Sequence, residues 1–170
     1  MHRYTAWNAA MATTAAQASV STGTAIKTML QIATPSTRQI AVLAWGYTLD
    51  DPPGADAIFE LIQTDVAATV TAHAASGVQP VVTGMPASLM TLGTSATGFT
   101  ATVEGAITAT KIFDAVAMSS VSAEAGPFLT YRRDFNDYEI PIVDVSKFLR
   151  IRATTPTTAV DMRCWALWDE

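Results

Sequence analysis

The chain is poor in the residues from which most chemistry is built. Its 170 residues include one cysteine and two histidines, and only 15% are Asp, Glu, Lys or Arg. One cysteine excludes an internal disulfide, so the fold has to stand on packing. In "DMRCWALW" alternation sets Cys164 beside Met162 and Ala166 on one face, which reads as a buried, inert thiol and not as a nucleophile. His2 and His73 are far from metal-ligand spacing, so the converging ligands of a cupin-type metal enzyme are missing. His73, in an alanine-rich segment, reads as a partly exposed loop or strand residue.

There is also no G-x-S-x-G elbow, no phosphate-cradling glycine loop and no H-E-x-x-H helix. Asp50, Asp51 and Asp56 flank a Pro-Pro-Gly break and read as turn polarity, since their spacing does not match a calcium cage. Glu60, Glu104 and Glu139 are single acids among strand residues. The expectation is therefore a non-enzyme, with no catalytic residue, no cofactor and no metal.

Positive charge is scarce too. The formal net charge is −5 and the ten basic residues are scattered, whereas phosphate binding needs clustered Lys and Arg. Arg132-Arg133, near Asp134, Asp137 and Glu139, and Arg150 with Arg152 are the only near neighbours, and both pairs read as solvated positions. Nucleic acid is not an expected partner. No apolar run is long enough to span a bilayer, and "MHRYTAWNAAMATTAAQ" lacks the apolar segment of a signal peptide. The expectation is a protein made and kept in a cytoplasm, with no membrane partner.

What the chain does have is apolar residues, 49% of the total, enough for one ordered domain. So sparsely charged a surface points to an assembly in which part of it is covered. Helical periodicity is slight and the dominant period is two. In "TAIKTMLQIA" Ile26, Leu30 and Ile32 fall on one side. "RQIAVLAWGYTLD" reads as its hairpin partner, but with both faces apolar: Ile40, Val42 and Ala44 on one, Leu43, Trp45, Tyr47 and Leu49 on the other. "IFELIQTD" and a stretch near Val66 to Thr71 are further strands, followed by a long excursion to residue 98. In "FTATVEGAITAT" Gly105 marks a possible bulge, and near Lys111 the apolar parity shifts. "GPFLTY" and "DYEIPIV" read as short strands, the second at an edge because of Pro141. "KFLRIRA" and "AVDMRCWALWDE" read as a closing hairpin, with Arg150 and Arg152 outward. About eight strands at short spacing predict an all-β antiparallel sandwich of jelly-roll type over residues 23–170. Residues 1–22, low in charge and rich in small residues, read as an N-terminal arm that docks through Tyr4 and Trp7.

The segments "GTAIKTMLQIATPSTRQIAVLAWGYTLD", "FELIQTDVAATVTAH", "GTSATGFTATVEG" and "SKFLRIRATTPTTAVDMRCWALWDE" resemble a group of small structural proteins of tailed phages of actinobacteria. In that group an opening hairpin, a Trp-Gly and a closing "LRIR" hairpin recur in this order. The resemblance spans most of the chain beyond about residue 22, through packing and turn motifs. It implies a capsid decoration protein on the virion exterior, bound to the major capsid protein and assembled as a homotrimer; Tyr4 and Trp7 of the arm and Trp45 and Tyr47 of the second apolar face are then the expected interface residues. The rival expectation is a fibre or a receptor- or carbohydrate-binding module, whose aromatic platform would draw on Trp45, Tyr47, Trp165 and Trp168.

Overall fold

The computed structural model describes residues 2–120, 129–136 and 138–170. In chain order its strands are β1 (Arg3–Trp7), β2 (Val20–Ser21), β3 (Ile26–Ala33), β4 (Ile40–Leu49), β5 (Ala57–Thr64), β6 (Thr69–Ala72) and β7 (Val78–Pro80). These are followed by β8 (Gly98–Val103), β9 (Thr110–Met118), β10 (Thr130–Asp134), β11 (Ile142–Val143), β12 (Phe148–Thr154) and β13 (Asp161–Asp169). A single turn of 3-10 helix, Ala75–Gly77, is the only helical piece among the described residues. The strands not expected are β1 and β2, in the segment read as an arm, and β7, in the excursion after β6. Of the expected strand in "GPFLTY", residues 126–128 lie outside the described residues, as does Asp137.

The strands form two antiparallel sheets packed as a β-sandwich. The first has the order β10-β4-β13-β1-β7, with β11 on β4 and β2 on β13; the second has the order β6-β8-β3-β12-β5-β9. The two expected hairpins are not hairpins. β3 and β12 pair in the second sheet, while β4 and β13 pair in the first. Links 34–39 and 155–160 therefore each carry the chain across the sandwich. Each strand presents its apolar face to the other sheet across the core. The corners are tied: Thr34 N–H donates to Lys147 O at 3.0 Å, and the Thr22 and Thr155 hydroxyls meet at 2.9 Å.

The two apolar faces of β4 are explained by one extra residue. Leu167 pairs with Ala44 and Trp168 with Val42, which leaves Leu43 as the extra residue of a bulge. Since side chains alternate with period two, one inserted residue exchanges the faces. Ile40 and Val42 before it, and Trp45, Tyr47 and Leu49 after it, all enter the same core. The outer face keeps smaller groups, and at Gly46 an added Cβ would meet the Tyr131 carbonyl oxygen at 2.6 Å and the Trp165 ring at 3.1 Å. β3 repeats the device with Met29 as the extra residue opposite Ile151 and Arg152. Met29 joins the core, and Ile26, expected to face inward, is 50% exposed. The parity shift expected near Lys111 is a third bulge, at Phe113 opposite Leu61 and Ile62. Gly105 is not a bulge; it follows β8 with φ of 76°.

The N-terminal segment is bound into the sandwich and does not extend as an arm. β1 lies between β13 and β7, and its alternation sends Tyr4 and Ala6 into the core. Asn8 extends the tie: its Nδ2 donates to Met162 O and its Oδ1 accepts from Cys164 N–H, both at 2.9 Å. Farther on, β2 pairs with β13. The excursion after β6 is anchored as well, because β7 pairs with β1.

Candidate functional site

The second sheet's outer face divides into two halves. Toward the β8 side, Gln31 and Arg150 point away from the core but are 0% exposed. They are roofed by segments near residues 66–68, 96 and 104. Arg150 donates through Nη1 to Glu104 O at 3.1 Å and Glu104 Oε2 at 3.2 Å, and through Nη2 to Val66 O. Glu104 also accepts Thr28 N–H at 2.5 Å and the Thr28 hydroxyl at 2.6 Å. Gln31 Nε2 donates to Ala96 O at 2.6 Å and Ala68 O at 3.3 Å, while its Oε1 accepts Ala68 N–H at 2.8 Å. Burial lowers the pKa of Arg150, and the charge of Glu104 opposes that shift. Arg150 was expected to be solvated. The roof overturns that reading, and Arg152 is also mostly covered.

The other half is open. Antiparallel register aligns Ile26, Thr154, Ile58 and Ala117 in one row across four strands. Phe59 and Ala153, next along the chain, are fully buried, so this row faces outward. Ile26 is 50% and Ile58 45% exposed, and Ile112 farther along β9 is 59% exposed. The charges in the adjoining row cancel: Arg152 Nη2 lies 2.9 Å from Glu60 Oε2. The result is a flat, neutral, apolar surface suited to contact with another apolar surface.

The strongest polar centre inside the sandwich is Asp114 on β9. Its Oδ2 accepts from Trp45 Nε1 at 2.9 Å and from the Tyr131 hydroxyl at 2.8 Å, and its Oδ1 accepts from Arg133 Nη1 at 2.9 Å. Trp45 and Tyr131 lie in the first sheet and Asp114 in the second, so one carboxylate ties their adjoining edges. Burial raises the Tyr131 pKa, and the bond to Asp114 adds to this; Arg133 is raised first by the Asp114 charge. Oδ1 also accepts Ala115 N–H at 3.1 Å, so four donors within the chain occupy the carboxylate. The centre is a latch, and nothing in its geometry leaves a lone pair for a substrate.

His73 is buried, 4% exposed, contrary to the exposed position expected. Its Nε2 lies 2.8 Å from Trp7 O, and its ring packs on Phe99 at 4.8 Å. Gly77 leaves room for it, since a Cβ there would run into His73 Nδ1. Burial lowers its pKa, partly offset by the bond to Trp7. Cys164 is fully buried and its pKa is pushed well above the ordinary thiol value. Among the described residues no group of three or more His, Cys, Asp or Glu side chains could hold a metal ion.

Three of the four expected interface residues lie inside the sandwich. Tyr4, Trp45 and Tyr47 are at most 1% exposed, covered by their own chain. Trp7 alone is half-buried, packed on Trp165 with ring centroids 6.2 Å apart. The open isoleucine row was missed because the bulge at Met29 reverses the face of Ile26. Nothing local in "IKTMLQIA" marks Met29 as the inserted residue. Comparison with protein-family models, curated proteins and solved structures gave no match.

Proposed function

We propose that the protein is a structural component of a tailed-phage virion that decorates the capsid shell and stabilises it. The supporting sequence observation is the resemblance carried by the strand and corner segments of β3, β4, β12 and β13. The structural observation that carries the reading is the open row Ile26–Thr154–Ile58–Ala117, a neutral apolar strip that crosses four strands of one sheet. Such a strip covers a few hundred Å², well below the roughly 800 Å² per partner of a stable complex. One contact is therefore weak, and a repeating lattice such as major capsid protein would hold the protein through many contacts. A trimer would multiply them. Binding that occurs only to assembled shell shifts the equilibrium toward that shell.

The test is to mix the purified protein with bare heads of a phage that carries it. Co-sedimentation and a higher temperature of head rupture are expected. Absence of both sinks the proposal. The glycan-binding reading keeps one supporting feature: Trp165, half-buried beside Trp7, carries the Arg132 guanidinium 5.4 Å from its ring centroid. Trp45, Tyr47 and Trp168, the rest of that expected platform, are buried. A change in tryptophan fluorescence on titrating cell-wall oligosaccharide would favour this second reading.

A further inference from the structure

At one end of the first sheet, where β11 and the end of β13 flank the start of β4, the surface forms a concavity of about 440 Å³. It is lined by Gln39, Ile40, Ala41, Ile142, Asp169 and Glu170. Two carboxylates and an apolar wall meet there, and the two acids are not equivalent. Glu170 is engaged: Oε1 accepts from Trp168 Nε1 at 3.1 Å and from the Ser88 hydroxyl, and Oε2 accepts Leu89 N–H at 3.0 Å. Asp169 is 8% exposed, and its Oδ1 is buried without a hydrogen-bond partner. Arg3 lies opposite Asp169 in the β1–β13 register, yet no described cation forms an ion pair with it.

A buried carboxylate oxygen left unpaired is costly, and native structures usually supply a partner. The chemistry of the partner follows from the walls. A metal ion would require more ligating groups than two acids, one of them already engaged. An Arg or Lys side chain fits both features: its methylenes would lie along Ala41 and the half-exposed Ile142, and its charged head would donate to Asp169. We propose that this concavity is a binding site for the guanidinium or ammonium group of a basic side chain presented by a partner protein. The inference is independent of the virion reading, since it rests on the Asp169 cavity and not on the isoleucine row.

The experiment titrates the intact protein with a short blocked peptide containing one arginine, with its citrulline counterpart, and with agmatine, following amide chemical shifts. Shifts confined to the residues lining the cavity are expected with the arginine peptide and not with the citrulline peptide. Asp169→Asn, nearly isosteric, should weaken binding about tenfold or more. Ile142→Trp, at a position 43% exposed, should block the apolar wall and abolish binding, with thermal unfolding of the variant recorded beside it. No binding of the arginine peptide, or binding unchanged in both variants, overturns the site and leaves a solvent molecule as the partner of Asp169. Agmatine binding as tightly as the peptide overturns the partner protein in favour of a small free amine.

Discussion

The two halves of the second sheet's outer face start from the same strands and end differently. β12 runs under both, and the register carries Arg150 into one and Thr154 into the other. Where the residues opposite are Gln31 and Thr28, the chain returns over the sheet and its carbonyls and Glu104 accept from Gln31, Thr28 and both terminal nitrogens of Arg150, leaving only the Arg150 Nε of these groups without a partner. Where they are Ile26 and Ile58, no described segment returns, and apolar side chains remain half exposed. Polar residues on a sheet face can thus be more deeply buried than isoleucines on the same face. What decides burial is whether a loop has been built to cover them, and a loop is built where hydrogen bonds can hold it.

The largest effect should come from unmaking the roof. Glu104→Gln leaves the fully buried Arg150 guanidinium without its counter-charge, and removal of one partner of a buried pair is strongly destabilising. Because the Glu104 side chain is 25% exposed, a loss at the lower end, about 3 kcal/mol, is expected in urea unfolding. Arg150→Met in the same background should recover part of it by removing the stranded charge. If Glu104→Gln unfolds like the parent, Arg150 is not held by that pair.

A second, smaller effect separates the halves by pH. His73 lies beside the roofed half, at the end of β6, and its pKa is lowered by burial below the ordinary value of about 6.5. The unfolded chain therefore takes up this proton first as pH falls. The stabilisation is fully present above about pH 6.5 and is lost as the pH drops through that value toward the lowered folded pKa. Asp65, held down to about 2 chiefly by the Thr108 hydroxyl, acts only in a more acidic window. Urea midpoints at pH 7.5 and 5.5 should differ for the parent and differ less for His73→Gln. Equal differences in the two proteins would assign the slope to other groups.

How much of this was readable in the residues depends on the scale of the signal. Alternation in 26–33, 40–49, 148–154 and 161–169 marked strands that are there, and the β-sandwich follows from their number and spacing. The pairing was not readable, because a link of six residues with a proline serves a corner between sheets as well as a loop within one. Bulges were visible only as paradoxes: the double apolar face of β4 recorded the Leu43 insertion without saying what caused it. Trp45 and Tyr47 looked like interface residues for that reason, since a strand without a bulge would have turned them away from Ile40 and Val42, whereas Tyr4 did so because residues 1–22 read as an arm. Arg150 and His73 were misjudged because their burial depends on contacts 46 and 66 residues away in sequence, which no local pattern encodes.

The open half gives the smallest change in stability and the sharpest functional contrast. Ile58 is 45% exposed and its outward neighbours are Thr154 and Ala117, so Ile58→Ser removes little buried area. Substitutions at such positions shift stability by about 0.5 kcal/mol or less. If the row is a contact surface, the same change should weaken attachment to shell or to other copies far more than it alters melting, because many weak contacts multiply a small loss per site. Ile26→Ser, in the same row, should behave alike, whereas Val82→Ser, equally exposed at 51% but outside the row, should not. Co-sedimentation with heads measured beside thermal unfolding distinguishes the cases. If all three variants bind as the parent does, the exposed isoleucines are ordinary surface residues, and the contact surface must be sought on the other sheet.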